Sequence, residues 1–174
     1  MKSHYIHLYY GFGKGKTTAA LGLALRALGY GKKVIFLQWL KGKKTIGEMQ
    51  MAKSLGKNFV MKQFGPAHFT WDKKGDAEHK SKAKEGLGYL EKAVSRAKFD
   101  VLVLDELMDA VVAKYIPKVK TLSLIKKAAK IGEVIITGHK PDKDFVKIAD
   151  LITEMKKQKH YFDKGQAARE GIEY

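Results

Sequence analysis

At 174 residues and 19.5 kDa the chain is the size of one ordinary domain, and 45% apolar with 30% charged residues exclude a disordered or fibrous polymer. The absence of cysteine excludes a disulfide scaffold, thiolate metal sites, Fe–S clusters and a cysteine nucleophile. Basic residues outnumber acidic ones 34 to 18, a net charge of +16 that suits either a polyanionic partner or a lysine-rich solvated surface.

Residues 5–10 read as a short strand ending in a glycine cluster at 11–15, followed by an Ala- and Leu-rich helix over 17–28 with Gly29 as its C-cap. Residues 33–39 are a second, buried strand. The stretch 40–58 is basic and loop-like with a short helix at 47–55, and 59–64 is a third strand. A turn-rich segment with two large aromatics leads to a charged helix over 76–97. Residues 100–105, DVLVLD, form a continuous apolar run ending on an acid, the pattern of a fully buried parallel strand. Two helices, 106–115 and 121–130, flank Pro117; a strand at 133–137, a helix at 142–149 and a last strand at 151–155 follow. Strands alternating with helices of this length imply an α/β domain with a mostly parallel sheet covered on both faces, here a single domain over 1–174.

Two motifs carry chemistry. The first is GFGKGKTT, residues 11–18, between a strand and a helix. Glycines let the backbone wrap inward so that its N–H groups face phosphate oxygens, and the following helix adds its positive N-terminal end. Lys16 can reach terminal phosphates and the Thr17 hydroxyl can bind Mg²⁺. The usual spacing G-x-x-x-x-G-K-[ST] needs glycine at position 10, where Tyr10 stands, so the loop is one residue short. It also carries an additional cation, Lys14, and the shortening argues against an ordinary kinase or GTPase. The second motif is VLVLDE, residues 101–106, whose Asp105 and Glu106 are placed as the carboxylates that hold Mg²⁺ beside such a loop.

The order GFGKGKTT, LQWLKG, FTW, VLVLDE, VIITG and KHYFDKGQAAREGIEY, from about residue 5 to the C-terminus, resembles the P-loop ATP:corrinoid adenosyltransferases. That resemblance implies a RecA-like P-loop NTPase fold of three layers, and transfer of the 5′-deoxyadenosyl group of ATP to the Co(I) of a corrinoid with release of triphosphate. It implies ATP binding by Gly11, Phe12, Gly13, Lys14, Gly15, Lys16, Thr17, Thr18 and Arg26, with Lys14, Lys16, Thr17 and Glu106 as the catalytic set. Thr17, Asp105 and Glu106 would hold Mg²⁺ or Mn²⁺, and Phe69 and Trp71 would pack beside the corrin and displace its lower axial ligand. A separate reductant such as a flavoprotein, a homodimer and a cytoplasmic location belong to the same expectation. The nucleophile comes with the substrate, so no Ser, Cys or His is needed to supply one.

Lys41 lies just past a strand end, where open α/β sheets bind ligands, although it reads equally as one more surface lysine. Two positions depart from the family pattern: Thr137-Gly138-His139 stands where members commonly read T-G-R, and Arg169 where glutamine is common. An imidazole titrates near neutrality and cannot make a guanidinium's bidentate bond. The six histidines show no metal-ligand spacing. A RecA-like nucleic-acid-binding ATPase is the alternative that the charge suggests, but only three of the basic residues are arginine and FTW is the one compact aromatic candidate. Neither nucleic acid nor a membrane is expected as a partner; no apolar run approaches the roughly 18 residues of a membrane span.

Overall fold

The computed structural model describes residues 4–42, 46–66, 73–96 and 98–174. Among these, short runs of aliphatic and aromatic residues form six strands: β1 (Ile6–Tyr10), β2 (Val34–Trp39), β3 (Phe59–Phe64), β4 (Val101–Asp105), β5 (Glu133–Gly138) and β6 (Leu151–Glu154). They are joined by helices α1 (Lys16–Gly29), α2 (Gly47–Ala52), α3 (Lys73–Arg96), α4 (Leu107–Val112), α5 (Lys118–Ala128) and α6 (Lys143–Ile148). Neighbouring strands run parallel throughout, in the order β3-β2-β4-β5-β1-β6. The expected sheet is therefore present, and each of its neighbouring pairs is parallel.

Burial explains why the inner strands do not alternate. All five residues of β4 are buried because helices cover both faces. On one face Phe36, Val103 and Ile135 pack with Ala20 and Ala24 of α1, whose small side chains let the helix approach closely. On the other, Leu37, Leu102, Leu104 and Ile136 pack with Leu90 of α3, Ile125 of α5 and Phe145 of α6. The result is three layers, helix–sheet–helix. At the edge of the described sheet, β6 pairs with β1 and all four of its residues are exposed.

Helix ends differ from the sequence expectation in explicable ways. Helix α1 runs through Gly29 to a cap at Tyr30, and Gly31 takes the left-handed turn instead. Helix α5 begins at Lys118, directly after Pro117, because a helix start needs no N–H from that position. Beyond β6 the tail, where the sequence predicts no element, makes one 3-10 turn at Tyr161–Lys164.

The parallel arrangement brings the C-terminal ends of β1, β2, β4 and β5 to one edge of the sheet. Gly11, Leu40, Glu106 and His139 each follow one of those ends. β5 lies between β1 and β4, leaving the glycine loop and the acid pair one strand apart. Phe145 is fully buried against the core, and Phe145→Ala is expected to cost about 3–5 kcal/mol. A urea titration would read this as a lower midpoint with an unchanged slope.

Candidate active site

The chain leaves β1 at Tyr10 and turns at Gly11, whose N–H points at the carbonyls of Gly138 (3.2 Å) and His139 (3.1 Å). Gly13 donates its N–H to the Met155 carbonyl at 2.6 Å, just past β6. A Cβ at Gly11 or Gly13 would lie 2.4 or 2.5 Å from that same carbonyl oxygen, so both positions need glycine. Gly15, at φ 121°, then swings the chain into α1. The Lys16 ammonium donates to the carbonyls of Gly11 (2.7 Å) and Gly13 (3.1 Å), bracing the loop from inside. Burial pushes its pKa down, against the opposite pull of Asp109, Glu106 and Asp105. Thr17 and Thr18 sit in the first turn, where helix N–H groups have no intrahelical acceptor and favour an anion.

Opposite the loop stands a buried carboxylate. Asp105 has no solvent exposure. It accepts from the hydroxyls of Thr17 (3.0 Å) and Thr137 (2.7 Å) and from the Gln38 amide (2.9 Å). Thr137 in turn accepts the Glu106 N–H at 2.8 Å. The Lys41 ammonium lies 3.2 Å from Glu106 Oε1, 3.7 Å from Asp105 Oδ2 and 3.4 Å from Thr17 Oγ1. Burial pushes the Glu106 carboxyl upward in pKa although Lys41 pulls it down. For Lys41 itself burial acts downward, but Glu106 and Asp105 outweigh it and the net direction is up. Leu40 and Glu106, which follow β2 and β4, are both left-handed at φ 59° and 55°. Backbone strain of that kind is concentrated where strands hand over to a site.

Two further groups close the surroundings. His139 follows β5, and its N–H and Nδ1 both reach the Asp109 carboxylate of α4, Nδ1 at 2.9 Å. That bond raises the His139 pKa against the effect of partial burial. Its ring lies 5.9 Å from that of Phe12. Lys14, the additional cation of the loop, turns to the C-terminal tail and donates to Tyr161 Oη (2.9 Å), the Ile172 carbonyl (3.0 Å) and Glu173 Oε1 (2.8 Å).

These residues surround a cleft of about 420 Å³. Lys14, Gly15, Lys16, Thr17, Thr18 and Glu106 line it; Gly11 and Gly13 build the loop behind, while Phe12 is exposed beside His139. Asp105 stands beneath Thr17 without reaching the cleft surface. Arg26 is not brought to the cleft: it is in the last turn of α1, ten residues past Lys16 and so about 15 Å along the axis. Phe69 and Trp71 lie outside the described residues. The structure adds Lys41, His139 and the tail residues Gly171, Ile172, Glu173 and Tyr174 to the lining. For Lys41 the sequence signal is its place at a strand end; for Gln38, Thr137 and the tail clamp no local pattern announces the contact.

A glycine loop and helix N-terminus facing a strand-end acid pair, one strand apart in a parallel sheet, define a RecA-like P-loop nucleotide-binding protein. The flagellar accessory protein FlaH of Methanocaldococcus jannaschii shares this fold, with a TM-score of 0.58 at 13% identity over 86% of this chain and 70% of that one. The family model described as ATP:corrinoid adenosyltransferase BtuR/CobO/CobP matches residues 2–174, and the chain belongs to that family. It is 34% identical to the corrinoid adenosyltransferase of Escherichia coli K12, over 97% of this chain and 85% of that protein. Against the corrinoid adenosyltransferase CobA of Salmonella typhimurium the identity and both coverages are the same, and against the Pseudomonas aeruginosa enzyme the identity is 30% over 94% and 80%. The protein is thus an enzyme, a corrinoid adenosyltransferase whose substrates are ATP and a corrinoid. Among the described residues no helix is long and apolar enough to cross a membrane.

The His139–Asp109 pair yields a pH signature. With a folded pKa above 6.5, its stabilisation is complete below the unfolded value and is lost as pH rises through the folded one. NMR titration is expected to show the His139 ring titrating above 6.5 in the parent and lower in Asp109→Asn.

Proposed function

We propose that the cleft holds ATP with its polyphosphate against Gly15, Lys16, Thr17 and Thr18, and presents C5′ to the Co(I) of the corrinoid. The cobalt–carbon bond forms with the electron pair of Co(I) as the C5′–O bond breaks, and that oxygen leaves with the triphosphate. Charge therefore grows on the leaving group. On this reading the helix N–H groups and the remaining N–H of the Lys16 ammonium meet that charge, an electrostatic stabilisation by groups already in position. The observation that carries this reading is the lining itself, which gathers cations and helix N–H groups for a polyphosphate. A site of this composition handles charge, and in the proposed reaction the corrinoid brings the nucleophile.

A divalent cation fits the same wall. Thr17 and Glu106 offer the oxygen donors that Mg²⁺ or Mn²⁺ takes beside phosphates, and the Lys41 ammonium against Glu106 and Asp105 shows that this wall attracts positive charge. Thr17 and Glu106 would hold the ion, with Asp105 orienting Thr17 from below. When bound, it would add positive charge to the departing triphosphate. Asp105, its oxygens committed to Thr17, Thr137 and Gln38, acts as an orienter more than as a ligand. Phe69 and Trp71 keep their proposed place beside the corrin.

Electrons for Co(I) come, on this reading, from a separate reductant of the flavoprotein class, since the chain has no dithiol to deliver them. A homodimer in the cytoplasm completes it, with the exposed Leu151 and Ile152 of β6 available to a second copy.

Anaerobic incubation with MgATP and chemically reduced cob(I)alamin is expected to yield adenosylcobalamin and intact triphosphate. Orthophosphate with unalkylated cobalamin would instead point to an ATPase. In that assay Lys16→Ala is expected to lower kcat about 10²–10³-fold. Trp71→Ala should slow adenosylation starting from cob(II)alamin and an external reductant, with ATP affinity held within about twofold. Equal rates for Trp71→Ala and parent would remove Trp71 from the corrin site.

A further inference from the structure

The end of the C-terminal tail returns to the glycine loop across 159 positions of sequence and is bonded there to the Lys14 side chain. An ammonium has three N–H donors. All three have tail acceptors within reach: Tyr161 Oη at 2.9 Å, the Ile172 carbonyl at 3.0 Å and Glu173 Oε1 at 2.8 Å. The acceptors are themselves held. Tyr161 donates its hydroxyl proton to Glu173. Glu173 Oε2 accepts from the N–H of Arg169 at 2.7 Å and from its Nε at 3.3 Å. The Arg169 guanidinium also lies 4.8 Å above the Tyr161 ring. A phosphate that recruited Lys14 would have to compete with all three of these acceptors.

The same end of the tail faces the cleft. Ile172 and Tyr174 line it and are 57% and 37% exposed. Leu21, one turn beyond Thr17 on α1, lines it too. Lys16, Thr17 and Glu106 supply the charge and oxygen donors, whereas Ile172, Tyr174 and Leu21 add apolar and aromatic side chains to the same lining, of the kind that pack on a flat ring.

We propose that Lys14 is a positioning residue that fastens the tail, not a phosphate ligand, and that the tail so fastened presents Ile172 and Tyr174 as the wall recognising the nucleoside end of ATP. The proposal rests on the reading of this cleft as the ATP site, and revises the role expected of Lys14. Arg169 gains a role in the same clamp, because its guanidinium grips both oxygens of Glu173 and leaves one of them shared with Lys14 and Tyr161.

The test separates phosphate from nucleoside by using inorganic tripolyphosphate, which has no nucleoside, as a competitive inhibitor beside ATP. Lys14→Ala and Glu173→Ala are each expected to raise the KM for ATP about tenfold and to leave the tripolyphosphate inhibition constant within about twofold. The double variant should match either single one, because both release the same clamp. Trypsin should cut after Arg169 faster in both variants than in the parent. Lys14→Arg, which keeps the charge and its donors, should restore most of the ATP affinity.

The opposite pattern overturns the proposal: Lys14→Ala weakening tripolyphosphate tenfold while Glu173→Ala tightens it would make Lys14 a phosphate ligand with which the tail competes. Unchanged tryptic cutting would overturn it as well. Ile172→Ala, at an exposed side chain, keeps the test open if a clamp variant fails to fold; it should raise the ATP KM about fivefold and leave tripolyphosphate inhibition alone. An unchanged ATP KM there would remove the wall. A parent enzyme that bound neither ATP nor tripolyphosphate would refute the reading of the cleft itself, a result distinct from any of these.

Discussion

A carboxylate with no access to water organises this molecule. Burying a charge is tolerable only when hydrogen bonds replace its hydration, and Asp105 obtains them from α1 through Thr17, from β5 through Thr137 and from β2 through Gln38. Because those donors come from three elements, satisfying one side chain at the end of β4 locks the first turn of the phosphate-loop helix to the middle of the sheet. Thr137 extends the lock by accepting the Glu106 N–H, which holds Glu106 in its left-handed conformation beside the cleft. The nearby Lys41 ammonium tempers the negative charge of both acids. Stability and site geometry are here the same set of bonds.

The chemistry proposed for the cleft fits that economy. When one substrate carries the nucleophile, the protein has no bond-making group to activate and can devote its polar residues to charge and position. Lys16 braces the loop from inside, the helix start faces the cleft, and Thr17 is fixed from below by Asp105. The positive charge of the N-terminal third, where Glu48 is the one acid, gains a partial explanation, since Lys14, Lys16 and Lys41 all border one small cavity. Much of the remaining charge lies on exposed surfaces and is compatible with solvation alone.

How much is legible in the sequence differs from residue to residue. The strand–GFGKGKTT–helix pattern and the apolar run before Asp105 and Glu106 are local, because a loop, its helix and a buried strand each leave their signature within a dozen positions. The six strands and six helices of the described residues can be read in the same way, with errors confined to ends such as Gly29 and the start of α5. Arg26, by contrast, is expected at the nucleotide but is not among the residues lining the cleft, since a place on α1 does not say how far along it the cleft extends. His139 differs from the commoner arginine in sequence, but its tie to Asp109 depends on α4 passing beside the end of β5.

By itself the sequence determined what short-range physics controls: which segments are strands or helices, which apolar runs must be covered on both faces, and that a glycine loop with lysine and threonine opens a helix. Tertiary structure alone decided the partners. Lys14 meets Glu173 from 159 positions away, Asp105 meets Gln38 from 67 away, and Gly13 must be glycine because the Met155 carbonyl of a distant strand end leaves no room for a Cβ. No local pattern encodes such pairings. They follow from the order of strands in the sheet, which is set by how the whole chain buries its apolar faces.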